Sequence, residues 1–192
     1  MRGARRPASE REPPGRERAF ELAGHFLGAR PRSRWEVARR LRKAGADDEV
    51  VEATLTRLQE LGFVDDLVFA RWWLEQRDRH APRGRRLVEA ELRQHGIGRD
   101  VIEALREELE ALEQEGGGSR SDPDASLPRS EQDRATVALA QHLRGRPVPE
   151  DRAALQRLGM FLARRGFGPD AVRSALRMAQ EGADAEGDEF AE

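Results

Sequence analysis

The sequence has 192 residues, of which 38% are hydrophobic and 36% are charged, with a formal net charge of -2 and neither cysteine nor tyrosine. A chain this polar cannot cover both faces of a buried parallel sheet, so amphipathic helices are favoured. The absence of cysteine excludes disulfides, thiolate zinc sites and a cysteine nucleophile, and no apolar run approaches the roughly 20 residues that a membrane span needs.

The chain opens with residues 1–17, which are rich in Arg and Pro and lack apolar periodicity, so we expect a disordered N-terminal extension. This stretch also lacks the apolar core of a secretory signal, which favours a cytoplasmic protein. Residues 18–64 follow with apolar residues at helical spacing, and the stripe of the expected third helix contains Val50, Val51, Leu55, Leu58 and Leu61. We predict a first three-helix repeat over 18–64, with Trp35 packed in its core.

A turn signature recurs three times along the chain. Apolar residues stand eight and four positions before Gly45, Gly96 and Gly166, and an apolar residue follows each of these glycines. The spacing is typical of a helix that ends in a left-handed glycine, with the next apolar residue folding back on the last turn. The three glycines are therefore predicted to be structural. The sequence predicts an all-α fold of tandem three-helix units that form an elongated, curved body.

Arginine concentrates in the second predicted repeat, residues 65–113, around Pro82 and Gly84. Guanidinium groups on a short loop of fixed geometry suit phosphates or a carboxylate-rich protein surface, but composition alone fits a solvated face of i,i+4 ion pairs equally well. Trp73 takes a core position, so its neighbour Trp72 either packs on an adjacent unit or offers a stacking surface. The candidate partner-binding or DNA-binding residues are Arg71, Trp72, Arg77, Arg79, Arg83, Arg85, Arg86 and Arg93.

The rest of the chain contains one further repeat between two polar segments. Residues 114–130 have the Gly, Ser and Pro content of a flexible linker. Residues 131–180 carry the third predicted repeat, and 181–192 form an acidic stretch that we expect to be a disordered tail.

Residue patterns that would support catalysis are missing from the sequence. The four histidines stand on different predicted helices without metal-ligand spacing, and the glycine run at 116–118 adjoins no strand. Asp65 and Asp66 precede an apolar helical face, which favours a capping role over acid–base chemistry. We therefore expect no enzyme activity, no metal and no cofactor.

Several segments of the first two repeats together resemble the RecX family: Arg32 to Arg34, Leu41 to Gly45, Phe63 to Asp66, Phe69 to Arg71, Arg79 to Leu87 and Glu91 to Ile97. The resemblance runs from about Ala19 to Leu112 and continues more weakly through the third repeat. It implies a regulatory protein without enzyme activity that lodges in the groove of a RecA recombinase filament and limits filament assembly, ATP hydrolysis and strand exchange. It also implies contact between basic surface and single- or double-stranded DNA. No long heptad seam is present, which favours a monomer.

Two alternatives remain open from the sequence. Short helices joined by glycine turns are also typical of helix-turn-helix transcriptional regulators, and a helical scaffold without any nucleic-acid role is a third possibility. A sequence-specific regulator would prefer one duplex site over random DNA, whereas a filament modulator would prefer single strands coated with RecA.

Overall fold

The computed structural model describes residues 12–114 and 130–188, the last seven of these by their backbone alone. The described residues are helical apart from turns and short connections, and they form nine helices: α1 (Arg16–Leu27), α2 (Arg34–Lys43), α3 (Asp48–Glu60), α4 (Asp66–His80), α5 (Arg85–Gln94), α6 (Arg99–Gln114), α7 (Glu131–Leu143), α8 (Arg152–Arg164) and α9 (Pro169–Asp188). The prediction of an all-α fold built from three tandem three-helix units is confirmed. None of these helices is long and apolar enough to cross a membrane.

The polar segments predicted from composition lie mostly outside the described residues. This applies to 1–11 of the N-terminal extension, to 115–129 of the linker and to the last residues from 189 onward. α1 begins at Arg16, within the stretch assigned to the extension, and α9 continues to Asp188, within the stretch assigned to the acidic tail.

The described chain divides into two compact units. The first extends to Phe69 and includes His95–Ile97, and the second comprises Ala70–Gln94 and the residues from Gly98 onward. Helix starts in both units are fixed by side chains that accept backbone hydrogen bonds. Asp47 Oδ1 accepts from the N–H of Val50 at 2.8 Å, and Ser33 forms a capping box with Glu36.

Asp65 caps α4, as its position before an apolar helical face indicates. Its Oδ1 accepts hydrogen bonds from the N–H groups of Leu67 and Val68, at 2.7 and 2.9 Å. These bonds satisfy donors that the first helical turn cannot pair internally. The carboxylate is therefore engaged in helix capping.

The core of the first unit follows the predicted stripes with two exceptions. Val37, Leu41 and Leu55 are buried, but Leu61 is 53% exposed and Trp35 is 41% exposed, so the predictions that both belong to the core are wrong. Leu61 follows the last residue of α3, where the chain turns at Gly62 and leaves the apolar face.

The glycines of the recurring turn have left-handed φ angles, 93° at Gly45, 76° at Gly96 and 87° at Gly166. At Gly45 the N–H donates to the carbonyl of Arg42, and the N–H of the following Ala46 donates to the carbonyl of Leu41, at 3.0 and 3.2 Å. This pair of hydrogen bonds is the Schellman motif, and it brings the apolar residue after the glycine back onto the helix.

A further glycine turn of the same kind ends α3. Gly62 has a φ of 72°, and the N–H of Phe63 donates to the carbonyl of Leu58 at 2.9 Å. Here the apolar residue after the glycine, Phe63, stays 61% exposed. The Gly-apolar signature therefore predicts the turn correctly without ensuring that the apolar residue is buried.

Candidate functional site

The loop at the centre of the predicted arginine cluster packs against the turn between α8 and α9 inside the second unit. The N–H of Gly84 donates to the carbonyl of Arg165 at 3.0 Å, and Arg165 Nη1 donates to the carbonyl of Pro82 at 3.2 Å. A Cβ at Gly84 would lie 2.2 Å from backbone atoms of Gly166 and Phe167. The loop therefore presses backbone to backbone on the α8–α9 turn, and only glycine permits this approach.

A comparable contact occurs in the first unit, between the start of α2 and the glycine turn at Gly96. Ser33, in the loop before α2, donates its hydroxyl hydrogen to the carbonyl of His95 at 2.7 Å. Trp35 lies against the next residue, so that a Cβ at Gly96 would come within 2.3 Å of the Trp35 Cβ. This contact explains why Trp35 is outside the core: its side chain covers a glycine turn.

Glu91 is a buried carboxylate that gathers three donors in the second unit. Its Oε2 accepts from Trp73 Nε1 at 2.9 Å and from Arg77 Nε at 2.8 Å, and Arg83 forms an ion pair with it. Trp73 is only partly buried, contrary to its predicted place in the core, and its indole N–H has a polar partner in Glu91.

The guanidinium groups near Glu91 outnumber this single carboxylate. Burial lowers the pKa of Arg83, and the neighbouring charges of Arg77 and Arg165 lower it further. Arg77 also stacks on the ring of Trp73, with 4.3 Å from its guanidinium carbon to the ring centroid. The local charge is therefore only partly neutralised.

The other predicted arginines are mostly paired within the second unit. Each of the following ion pairs joins one of them to a glutamate: Arg71 with Glu108, Arg79 with Glu75, Arg85 with Glu110 and Arg93 with Glu89. The hydrogen bond from Arg71 lowers the pKa of Glu108. Surface pairs of this kind contribute little to stability and can open at low cost when a partner competes for the guanidinium.

Two members of the predicted set differ from this pattern. Arg86, on the first turn of α5, is exposed and makes no ion pair with any residue that the structure describes. Trp72 is half-buried, with its ring 6.2 Å from that of Trp73 at an angle of 58°. Of the eight predicted residues, the structure joins Arg77 and Arg83 on one carboxylate and distributes the rest along α4 and α5.

No metal centre occurs in the described ranges, since no group of three or more His, Cys, Asp or Glu side chains is close enough to hold an ion. Ser33, Glu36 and His95 are neighbours, with 3.5 Å between His95 Nδ1 and Glu36 Oε1. The serine hydroxyl, however, donates to a backbone carbonyl and accepts from the N–H of Glu36. Its oxygen is therefore engaged in helix capping.

A second group of arginines, on the third repeat, was not predicted from the sequence. Arg144, Arg146 and Arg165 line one open depression, and Arg146, Arg157 and Arg164 line an adjoining one. A signal was present in the sequence: Arg157, Arg164 and Arg165 have no Asp or Glu three or four positions away on either side. Arginines on a helix without such neighbours lack the partners that neutralise Arg79 and Arg93.

Comparisons with known proteins match each of the three repeats. Family models described as the first, second and third three-helix domains of RecX match residues 19–58, 65–105 and 130–176. The chain is 35% identical over 161 residues to the regulatory protein RecX of Mycobacterium avium, with 84% of each chain covered. It is also 35% identical over 175 residues to the regulatory protein RecX of Thermobifida fusca, covering 88% of this chain and 81% of that one.

Solved structures show the same fold. The crystal structure of RecX from Lactobacillus salivarius superposes with a TM-score of 0.66 at 15% identity, covering 85% of this chain and 95% of that one. A further crystal structure, of a regulatory protein RecX, gives a TM-score of 0.59 at 19% identity, covering 83% of this chain and 70% of that one.

Proposed function

The chain belongs to the RecX family, and on that premise we propose that it is a regulatory protein that binds the RecA recombinase filament. It restrains ATP hydrolysis and strand exchange by the filament and thereby acts in recombination and DNA repair. The observation that carries this proposal is the match of three family domains, in order, to the three repeats. It acts as a monomer in the cytoplasm, where the recombinase and its DNA are found.

The predicted set on α4 and α5, from Arg71 to Arg93, is the proposed contact surface. Arg86 is exposed and makes no ion pair among the described residues, and Arg71, Arg79 and Arg93 form surface ion pairs. Exchanging such a pair for a carboxylate on a partner protein costs little, because the pair is already solvated. This surface is suited to binding acidic protein or phosphate, and the relatives are named regulatory proteins.

The proposal is tested by titrating the full chain into an assay that contains RecA, ATP and single-stranded DNA. We expect ATP hydrolysis and strand exchange to fall with increasing protein, because binding in the filament groove limits assembly. A helical scaffold without a role in recombination would leave both rates unchanged. A transcriptional regulator would instead bind one duplex sequence in preference to random duplex, and that result would contradict the proposal.

A further inference from the structure

Two adjoining open depressions, of about 520 and 430 Å³, are lined mainly by the third repeat, and His80 and Ala81 of the second repeat also line the larger one. The two depressions share the lining residues His142, Arg146 and Phe161. Together they form one groove, which we call the third-repeat groove. Five arginines line it: Arg144, Arg146, Arg157, Arg164 and Arg165. No carboxylate is among the lining residues that the structure describes.

The charge of this groove is not neutralised by the described part of the chain. The ion pairs that third-repeat arginines make there are those of Arg134, Arg173 and Arg177, none of which lines the groove. Several uncompensated guanidinium groups along one groove attract anions and raise their local concentration. The predicted arginine cluster of the second repeat, in contrast, is largely paired.

Some of these arginines are held in place by hydrogen bonds to backbone carbonyls. Arg146 donates from Nε to the carbonyl of Leu143 at 3.0 Å and from Nη2 to that of His142 at 3.3 Å. Arg165 donates to the carbonyl of Pro82. A guanidinium has five N–H donors, so each of these groups keeps donors for a ligand while losing little freedom on binding.

An aromatic pair lies at the centre of the groove. The rings of His142 and Phe161 are stacked, with 3.9 Å between centroids and an angle of 21° between planes. His142 is exposed, so its outer face can receive a further flat ring. A stacking surface beside guanidinium groups is the combination that binds a base together with its phosphates.

We infer that the third-repeat groove binds nucleotides that carry several phosphates, with a base stacked on His142 and phosphates on Arg144 and Arg146. Each depression has a volume in the usual range for small-molecule sites. The same chemistry is available from a free nucleoside triphosphate or from successive nucleotides of a single strand. This binding needs no recombinase, so it goes beyond the proposed function and is measured without RecA.

The test uses the full chain with two probes, ATP in the presence of EDTA and a labelled oligo(dT) of about 20 nucleotides, long enough to fill one site. Arg144→Gln combined with Arg146→Gln should weaken binding of both probes about tenfold or more. For oligo(dT), the slope of log affinity against log salt should fall by about 1.4, since two phosphate contacts are lost. His142→Ala should weaken both probes about fivefold and leave binding of inorganic polyphosphate unchanged.

The second depression distinguishes the two sources of the ligand. Arg157→Gln combined with Arg164→Gln should weaken oligo(dT) and not ATP if a strand runs along the whole groove. The matched control is Arg173→Gln combined with Arg177→Gln, which removes equal charge from exposed arginines of the same repeat. Helical content and melting temperature are recorded for every variant.

Three results would overturn the inference. They are the absence of binding to both probes, equal weakening by the control pair and the Arg144/Arg146 pair, and binding of polyglutamate as tightly as oligo(dT). Absence of binding would mean that the groove has no nucleotide ligand. Equal weakening by the control pair would mean that net charge alone explains the effect, and tight binding of polyglutamate would mean that the groove binds an acidic protein.

Discussion

Gly45, Gly96 and Gly166 share a left-handed backbone but differ in what surrounds them. A Cβ at Gly45 would meet nothing within 4 Å. At Gly96 a Cβ would lie 2.3 Å from the Trp35 Cβ, and at Gly166 it would lie 2.6 Å from the Leu87 Cβ. Glycine at Gly45 is therefore required only by the left-handed turn. At Gly96 and Gly166 the missing Cβ also allows a neighbouring segment to pack closely.

This difference predicts an order of stability among alanine variants. Gly45→Ala should cost about 1–2 kcal/mol, the strain of a left-handed alanine. Gly96→Ala should cost more, because Trp35 must also move. Thermal and denaturant unfolding of the full chain would measure both.

The second unit offers its own matched comparison. Gly145 has a φ of 76°, and a Cβ there would meet nothing within 4 Å, so Gly145→Ala should cost no more than strain. Gly166→Ala should exceed it, because its Cβ would lie 2.7 Å from the backbone N of Leu87. If the two variants of a pair lost the same free energy of unfolding, the close contacts at Gly96 and Gly166 would contribute nothing to stability.

At the scale of helices, α4 and α7 are joined by a buried ion pair. Arg134 Nε donates to Asp78 Oδ2 at 3.0 Å, and the two side chains are 4% and 6% exposed. Asp78 Oδ1 is buried and has no hydrogen-bond partner among the residues that the structure describes. Burial raises the pKa of Asp78 although the charge and hydrogen bond of Arg134 act to lower it. Pairing therefore offsets the cost of burying the carboxylate only in part.

A double-mutant cycle measures the coupling between Asp78 and Arg134. Arg134→Met alone should destabilise the second unit by about 3–5 kcal/mol, because it leaves a buried carboxylate without a counter-charge. Adding Asp78→Leu should recover most of that loss, since an apolar pair of similar volume has no charge to desolvate. Unfolding free energies of the single and double variants give the coupling, and additive losses would mean that the pair is not coupled in the folded chain.

Local signals predicted the helices well, because their physical causes lie within a few residues. Asp47 and Asp65 start helices through bonds to N–H groups two or three positions ahead, and the glycine turns close over a similar distance. The partners of charged side chains could not be predicted in this way. Arg134 and Asp78 are 56 residues apart, and Arg85 and Glu110 are 25 apart.

In the candidate site, too, local features could be predicted from the sequence but long-range contacts could not. Composition located the arginines of the second repeat correctly in sequence, but it could not show that Glu91, Glu108 and Glu110 would hold several of them. Nor could it show that Pro82 and Gly84 form a joint with the α8–α9 turn. Helical spacing already showed that Arg157, Arg164 and Arg165 lack local carboxylates, but only the packing of the helices shows that they line adjoining depressions.

At the scale of the whole molecule, three repeats of one design carry different surfaces. The second repeat presents Arg86 and several arginines in surface ion pairs, while the third contains the groove of unneutralised arginines. We expect these surfaces to separate two activities, with the second repeat contacting the recombinase and the third contacting nucleotides. Variants on one surface should then leave the other activity unchanged.

Direct binding to the RecA filament is the most decisive measurement for the proposed function. Labelled full-length protein is titrated into RecA-coated single strands, bare single strands and random duplex, all at one salt concentration. We expect the protein to prefer the coated strand. Arg86→Ala should weaken this binding severalfold, whereas Arg99→Ala, which removes an arginine that is 93% exposed on α6, should leave it unchanged. Equal affinity for coated strands and bare DNA, with Arg86→Ala indistinguishable from Arg99→Ala, would contradict the proposed function.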